Sequence, residues 1–132
     1  MGFEELPHTA DLALRIWAYD LPGLFVEAAR GLNVLSGVQL SDKPIQCQTL
    51  DIESEDSESL LVAFLTELVY LAEQNNMAFD KIDLSIKNNR LHAELQGSPL
   101  VSITKNIKAV TFHNLQIQRI PSGLQVEIVF DV

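Results

Sequence analysis

Residues 11–37 read DLALRIWAYDLPGLFVEAARGLNVLSG, and within them the spacing of apolar side chains changes from two residues to three or four. Residues 11–19 alternate between two faces, with Leu12, Leu14, Ile16 and Ala18 on one of them, which predicts a half-buried strand. Beyond Asp20, a suitable helix N-cap, apolar residues recur at helical spacing until Gly37, a residue typical of helix ends. The stretch therefore predicts a strand followed directly by a helix.

The same two spacings continue along the chain and predict the remaining elements. In order, these are a strand at 45–53, a helix from Asp56 to Asn75-Asn76, a hairpin over 82–95 turning at Asn88-Asn89, a loop opening at Gly97-Ser98-Pro99, a strand at 109–117, a turn at 121–123 and a strand at 124–132. Two long helices packed on a mostly antiparallel sheet give an α+β fold, arranged as a two-layer sandwich. We expect residues 1–132 to form one domain.

Composition places the chain among ordinary globular proteins. It has 132 residues, of which 47% are hydrophobic and 20% are charged. The single cysteine, Cys47, can neither form an internal disulfide nor head a multi-cysteine zinc site. The start MGFEELPHTAD lacks the features of a signal peptide, and no apolar run approaches the roughly 18 residues of a membrane span. We expect a cytoplasmic protein with no membrane association.

The charge balance restricts the class of partner. Nine basic and eighteen acidic residues give a formal net charge of −9. Such a surface repels phosphate, which argues against tight, direct binding of nucleic acid. It suits a partner with a basic surface or a site that collects cations. A general effect of the charge on solubility accounts for it equally well.

The sequence carries no recognisable catalytic machinery. It has no glycine-rich phosphate loop, no Gly-x-Ser-x-Gly elbow and no helical His-Glu-x-x-His. Cys47 has no histidine near it in sequence, so we interpret it as a buried or edge thiol rather than a nucleophile. His92 alternates onto the polar face of the predicted hairpin. The chain is therefore not expected to be a stand-alone enzyme.

Two aspartates lie at positions that the fold could bring together. Asp11 opens the first predicted strand and Asp131 closes the last. If these strands are antiparallel neighbours, both aspartates and the terminal carboxylate of Val132 lie at one end of the sheet. Three such carboxylates cannot all stay ionised without a cation, and oxygen ligands favour Ca²⁺ or Mg²⁺ over zinc. His8, an imidazole, would instead favour a transition metal. The alternative is that both aspartates are charges that discourage edge pairing.

Several motifs together resemble the archease family over the whole chain. They are FEELPHTAD at 3–11, Leu24-Phe25-x-x-Ala28-Ala29-Arg30-Gly31, LLVAFLTELVYL at 60–71, Ile107-Lys108-Ala109-Val110-Thr111-Phe112-His113 and the terminal Phe130-Asp131-Val132. The pairing of His-Thr-Ala-Asp near one end with Lys-Ala-Val-Thr-aromatic-His near the other is the specific part of the resemblance.

The resemblance implies a function that the residue spacing alone does not. Archeases are accessory proteins of the RtcB-type tRNA-splicing RNA ligase. They promote its guanylylation by GTP and so support multiple turnover. By this resemblance the metal ligands are Asp11, Asp131 and Val132, with Ca²⁺ as the first choice and Mg²⁺ or Mn²⁺ as alternatives, and Lys108 is a functional group near that site.

The chain departs from the family pattern at two places. Phe112 stands where the family usually has tyrosine, so any role for a phenolic hydroxyl is lost. Residues 97–106, GSPLVSITKN, are not the acidic, histidine-bearing segment expected before Lys108. The contacts of that segment are therefore in question, whereas the two aspartates are unaffected.

Other classes of function stay open at the level of the sequence. The same carboxylates could serve a small metal-dependent phosphoester hydrolase by positioning water on Mg²⁺, although no general base is evident. An acidic, metal-independent chaperone-like scaffold is a second alternative. A direct RNA binder ranks last because of the net charge.

Overall fold

The structure is a computed structural model and describes residues 1–7, 11–43 and 45–132. The described residues form two helices and nine strands, which confirms the α+β class. The elements are β1 (Gly2–Leu6), β2 (Leu12–Ala18), α1 (Leu21–Ser36), β3 (Gln39–Leu40), β4 (Gln46–Glu53), α2 (Ser57–Asn75), β5 (Met77–Lys87), β6 (Arg90–Ser102), β7 (Ala109–Val110), β8 (Gln118–Ile120) and β9 (Gly123–Asp131).

The strands divide between two antiparallel sheets, whereas the sequence predicted one. In the first sheet the strand order is β1-β2-β9-β7, and β8 also pairs with β9. In the second sheet β6 is the shared strand, and β3, β4 and β5 each pair with it. The division was not visible in the sequence, because both sheets are built from alternating strands and alternation does not show which strand each one pairs with.

Both helices begin and end at the residues that the sequence indicated. Asp20 and Asp56 are the N-caps, accepting hydrogen bonds from the backbone N–H groups of Gly23 at 2.9 Å and Ser59 at 2.7 Å. Gly37 and Asn76 end the helices in the left-handed conformation. Each helix contacts strands of both sheets. Residues of both helices and both sheets together form the buried core. In the described part of the chain, neither helix is long and apolar enough to cross a membrane.

The predicted hairpin is present but longer than the sequence suggested. Asn88 and Asn89 have φ angles of 52° and 61°, as a tight two-residue turn between right-twisted strands requires. The loop predicted at Gly97-Ser98-Pro99 is wrong, because β6 continues to Ser102 and Pro99 pairs with Met77. The continuation is set by the register of β5, which shifts between Phe79 and Lys81 opposite Gly97.

The strand predicted at 109–117 is also wrong in extent. Only Ala109–Val110 and Gln118–Ile120 are strands, and both pair with β9. Between them the backbone N–H of Leu115 donates to the Phe112 carbonyl at 3.1 Å, and Asn114 has a φ of 51°. A residue with positive φ cannot continue an extended strand, so the chain leaves the sheet here.

Candidate functional site

Strands β2 and β9 of the first sheet bring Asp11 and Asp131 to the same end of that sheet. Strands β2 and β9 pair antiparallel, with Leu12 directly opposite Phe130. Asp11 precedes Leu12 and Asp131 follows Phe130, so the two aspartates extend the same register. Asp11 is half-buried and Asp131 is exposed. The two strands are therefore antiparallel neighbours, as the hypothesis of a shared carboxylate site requires.

Lys108 reaches this end of the sheet through its backbone. Its N–H donates to the Asp131 carbonyl at 2.8 Å, and Ala109 lies opposite Asp131. The next hydrogen bond runs from the Thr111 N–H to the Val129 carbonyl at 3.0 Å. Two residues separate Lys108 from Thr111, whereas one residue separates Val129 from Asp131 on β9. The extra residue is the mark of a β-bulge, so both Lys108 and Ala109 lie beside Asp131. The Lys108 residue is exposed.

A short hydrogen-bonded turn follows this segment. The Thr111 hydroxyl donates to the Val129 carbonyl at 2.9 Å and accepts from the His113 N–H at 3.3 Å. Further on, the Ile117 N–H donates to a Glu58 carboxylate oxygen at 3.1 Å, which ties the segment to the first turn of α2. Phe112 is 59% exposed. The turn thus fixes the backbone that carries Lys108 on the side away from β2.

Oxygen donors dominate the end of the sheet where the two aspartates lie. Among the described residues, no group of three or more His, Cys, Asp and Glu side chains is arranged to hold a metal ion. The ligands predicted from the sequence, Asp11, Asp131 and the carboxylate of Val132, would offer hard oxygens only. These donors fit Ca²⁺ or Mg²⁺ that keeps water ligands. His8, the donor that would favour a transition metal, lies outside the described residues.

A second titratable cluster lies on the exposed face of the second sheet. The Nδ1 atom of His92 is 2.7 Å from a carboxylate oxygen of Asp51, and Nε2 is 3.9 Å from Glu94. The hydrogen bond to Asp51, supported by the charges of both carboxylates, raises the pKa of His92. The predicted solvated position of His92 is confirmed. The cluster belongs to β4 and β6 and takes no part in the site at Asp11 and Asp131.

A cavity that sequence reasoning missed lies between the ends of the two helices. Its volume is about 620 Å³, and Lys108 contributes to its lining. Glu73 near the end of α2 and Asn33 near the end of α1 are among its polar residues. Because these residues lie far apart in the chain, no local motif could have indicated the cavity.

Known proteins resemble this chain over nearly its whole length. The model of the Archease protein family (MTH1598/TM1083) matches residues 3–132. The chain belongs to the archease family. The protein archease of Thermococcus gammatolerans is 31% identical over 130 residues, covering 92% of this chain and 91% of the relative. The archease-like protein of Dictyostelium discoideum is 29% identical over 143 residues, covering 99% of this chain and 93% of the relative.

Solved structures of archease-family proteins share the fold. The crystal structure of an archease from Thermotoga maritima, named a possible chaperone, has a TM-score of 0.72 at 24% identity, covering 98% of this chain and 96% of that one. The solution structure of Methanobacterium thermoautotrophicum protein 1598 also has a TM-score of 0.72 at 24% identity, covering 99% of both chains. These two likenesses show that the fold is shared.

Proposed function

We propose that the protein is a metal-binding accessory factor that activates an RtcB-type tRNA-splicing RNA ligase. By promoting guanylylation of the ligase by GTP, it would support multiple turnover in tRNA processing or RNA repair. The observation that carries the proposal is the pairing of Leu12 with Phe130, which puts Asp11 and Asp131 at one end of the sheet. Membership of the archease family supplies the context in which this pair of carboxylates has a function.

The proposed metal ligands are Asp11, Asp131 and the terminal carboxylate of Val132. Their oxygens are hard donors, so Ca²⁺ is the first choice, with Mg²⁺ and Mn²⁺ as alternatives. A bound divalent cation would supply positive charge where negative charge develops during phosphoryl transfer in the partner's nucleotide site. The two aspartates would hold and orient it, and the paired strands would fix their spacing.

Lys108 is the proposed functional cation next to this metal. Its N–H is bonded to the Asp131 carbonyl, so the residue is held at the same end of the sheet as the proposed ligands. An ammonium group on a flexible stem can reach a phosphate as a point charge. We expect Lys108→Ala to lower ligase activation, and activation at the wild-type level would remove this residue from the proposal.

The proposed partner surface is basic and the expected location is the cytoplasm. A net charge of −9 favours association with a positively charged protein and disfavours tight contact with RNA.

We further propose that the two helices and the two sheets form two layers, since α1 and α2 each contact strands of both sheets. The end of the first sheet, with its two aspartates, would then be accessible to the partner.

The test is multiple-turnover ligation by the cognate RNA ligase with and without this protein. The matched variants are Asp11→Ala and Asp83→Ala, the latter removing an aspartate from β5 in the second sheet. We expect strong stimulation by the wild type and by Asp83→Ala, and little by Asp11→Ala. If the wild type does not stimulate the ligase, the accessory function is wrong for this chain.

A chaperone-like scaffold without metal chemistry is the second candidate. It is favoured by the Thermotoga maritima relative, whose name includes possible chaperone. The same ligation experiment separates the two candidates, because a scaffold would keep its effect in Asp11→Ala and Asp131→Ala. Calorimetric titration with Ca²⁺ provides the second readout: loss of heat in Asp131→Asn, but not in Asp83→Asn, would support the metal site.

A further inference from the structure

The cavity between the helix ends is lined by apolar side chains together with polar ones, among them Asn33, Glu73 and Lys108. It is lined by the ends of α1 and α2, the start of β5 and the segment from Leu100 to Lys108. The buried part of its lining includes Leu32, Phe79 and Ile107. Its volume of about 620 Å³ lies within the range of small-ligand sites, roughly 300–1,000 Å³. The cavity is therefore large enough for an organic ligand of moderate size.

Hydrogen bonds join the walls of this cavity to each other. The Asn33 side-chain amide donates to the Phe79 carbonyl at 2.9 Å, which links α1 to β5. The Leu100 N–H donates to the Asn76 carbonyl at 2.8 Å, which links the end of α2 to β6. The N–H of Thr104 donates to the Ser36 carbonyl at 2.8 Å. These bonds join α1, α2, β5, β6 and the segment after β6, so the walls of the cavity are held by the fold itself.

The electrostatics of the cavity favour a positively charged ligand. Ser36, the last residue of α1, and Asn76, the C-cap of α2, both line it, so both helices direct their negative ends toward it. Neither helix has a basic residue in its last turn, where a cation would be favourable. The last turn of α2 instead carries Glu73, a carboxylate at the end of the helix that favours cations.

The positive charge of Lys108 offsets only part of the negative charge of Glu73 and the two helix ends. Each helix end carries at most about half a negative charge, and less here because the Ser36 and Asn76 carbonyls accept backbone N–H groups. Together with Glu73, the two helix ends still outweigh the single positive charge of Lys108. Glu73 and Lys108 are both described and form no ion pair with each other within the 4 Å range of such contacts. The Lys108 ammonium is therefore not the partner that neutralises Glu73.

We propose that this cavity binds an alkylammonium group, with the hydrocarbon stem against the apolar wall and the ammonium near Glu73 and the helix ends. A free aliphatic amine and a lysine side chain of a basic protein partner share this chemistry. The site is distinct from the proposed metal ligands, and the inference does not depend on the proposed function. A cation at this position would relieve the unfavourable pairing of Glu73 with a helix C-terminus.

The test is an NMR titration of the ¹⁵N-labelled full chain with n-hexylammonium and, separately, with n-hexanol, in buffer at physiological ionic strength. We expect hexylammonium to shift the amides of Ala72, Leu100 and Ile107 and to bind about three- to tenfold more tightly than the neutral alcohol, since one partly screened charge contact differs between them. Glu73→Gln should remove that preference. Glu67→Gln, which removes an exposed carboxylate of the same helix outside the cavity lining, should keep it.

Each other outcome overturns the proposal. Equal binding of the amine and the alcohol would show an apolar cavity without cation selectivity. Equal effects of Glu73→Gln and Glu67→Gln would show general attraction to an acidic surface. An absence of shifts at the cavity amides would show that the cavity takes neither ligand. A final arm with Nα-acetyl-lysine methylamide identifies the source: binding of this mimic indicates a protein side chain, whereas binding of hexylammonium alone indicates a free amine.

Discussion

His92 is placed between two carboxylates that favour its protonated form. The hydrogen bond to Asp51 raises its pKa above the ordinary value of 6.5, and Glu94 adds a smaller effect. Because the folded-state pKa exceeds the unfolded one, protonated His92 contributes stability that is fully present below about pH 6.5. That contribution is lost as the pH rises through the raised pKa.

We therefore expect the wild type to lose stability, relative to His92→Gln, as the pH rises from 6 to 8. The measurement is the urea midpoint of both proteins across that range. Asp51→Asn is the matched control, because it should lower the pKa of His92 in an NMR titration. If the stability of the wild type relative to His92→Gln grew with pH, the stabilising role of protonated His92 would be wrong.

At the residue scale, the sequence indicated the two aspartates but not the cavity. Alternation indicated that Asp11 opens one strand and Asp131 closes another, but it did not show that these two strands are neighbours. Glu73 and Asn33 line the cavity only because residues 100–108 and the start of β5 fold against the two helices. Such contacts leave no periodic signal in the sequence.

At Gly97 the neighbouring strand β5 leaves no room for a side chain. A Cβ atom added there would overlap the Ala78 carbonyl oxygen and would lie 2.7 Å from the Phe79 Cα. Both are backbone atoms, so the neighbouring strand would have to move as a unit. Gly97 also pairs with Gln46 on the other side, which leaves β6 no room to retreat.

We expect Gly97→Ala to lower the free energy of unfolding by about 1–3 kcal/mol or more, as overpacking of a filled site does. Chemical denaturation of the variant measures this directly. Gln96→Ala, the adjacent exposed position of β6, should change stability far less. A Gly97→Ala protein as stable as the wild type would show that the bulge in β5 relaxes without cost.

At the element scale, helices and turns were predictable where the signal is local. The N-caps Asp20 and Asp56 and the Asn88-Asn89 turn depend on backbone preferences of a few adjacent residues. The ends of β6 and β7 were not predictable, because they depend on partners distant in sequence. Pro99 suggested a loop by its local chemistry, yet the pairing with Met77 keeps it in the strand.

The excess of acidic residues is a property of the whole molecule. Nine more acidic than basic residues repel one another more in the compact state than in the extended one. Raising the ionic strength from about 10 mM to about 1 M shortens the screening length from roughly 30 Å to roughly 3 Å.

We therefore expect the melting temperature to rise between these salt concentrations. Differential scanning calorimetry in sodium chloride and in choline chloride measures the effect, and similar rises in both salts would separate screening from binding of a specific metal ion. A melting temperature that falls with added salt would show that attractive ion pairs outweigh the net repulsion.

At the scale of the whole molecule, the class of fold was predictable and the arrangement of its strands was not. Alternating strands and two amphipathic helices specify α+β architecture. They do not specify that β9 pairs with β2 in one sheet while β4, β5 and β6 form another. That choice depends on how well whole faces pack, which only the assembled molecule determines.

The position of β9 between β2 and β7 has a consequence for the newly made chain on the ribosome. The segments of the second sheet and both helices are translated before residue 123, so they can begin to assemble while synthesis continues. Strand β2 pairs with β1 on one side, but its other edge stays unpaired until β9 has been synthesised. During that interval the nascent chain presents an open, apolar strand edge, the kind of surface that chaperones cover and that aggregates otherwise.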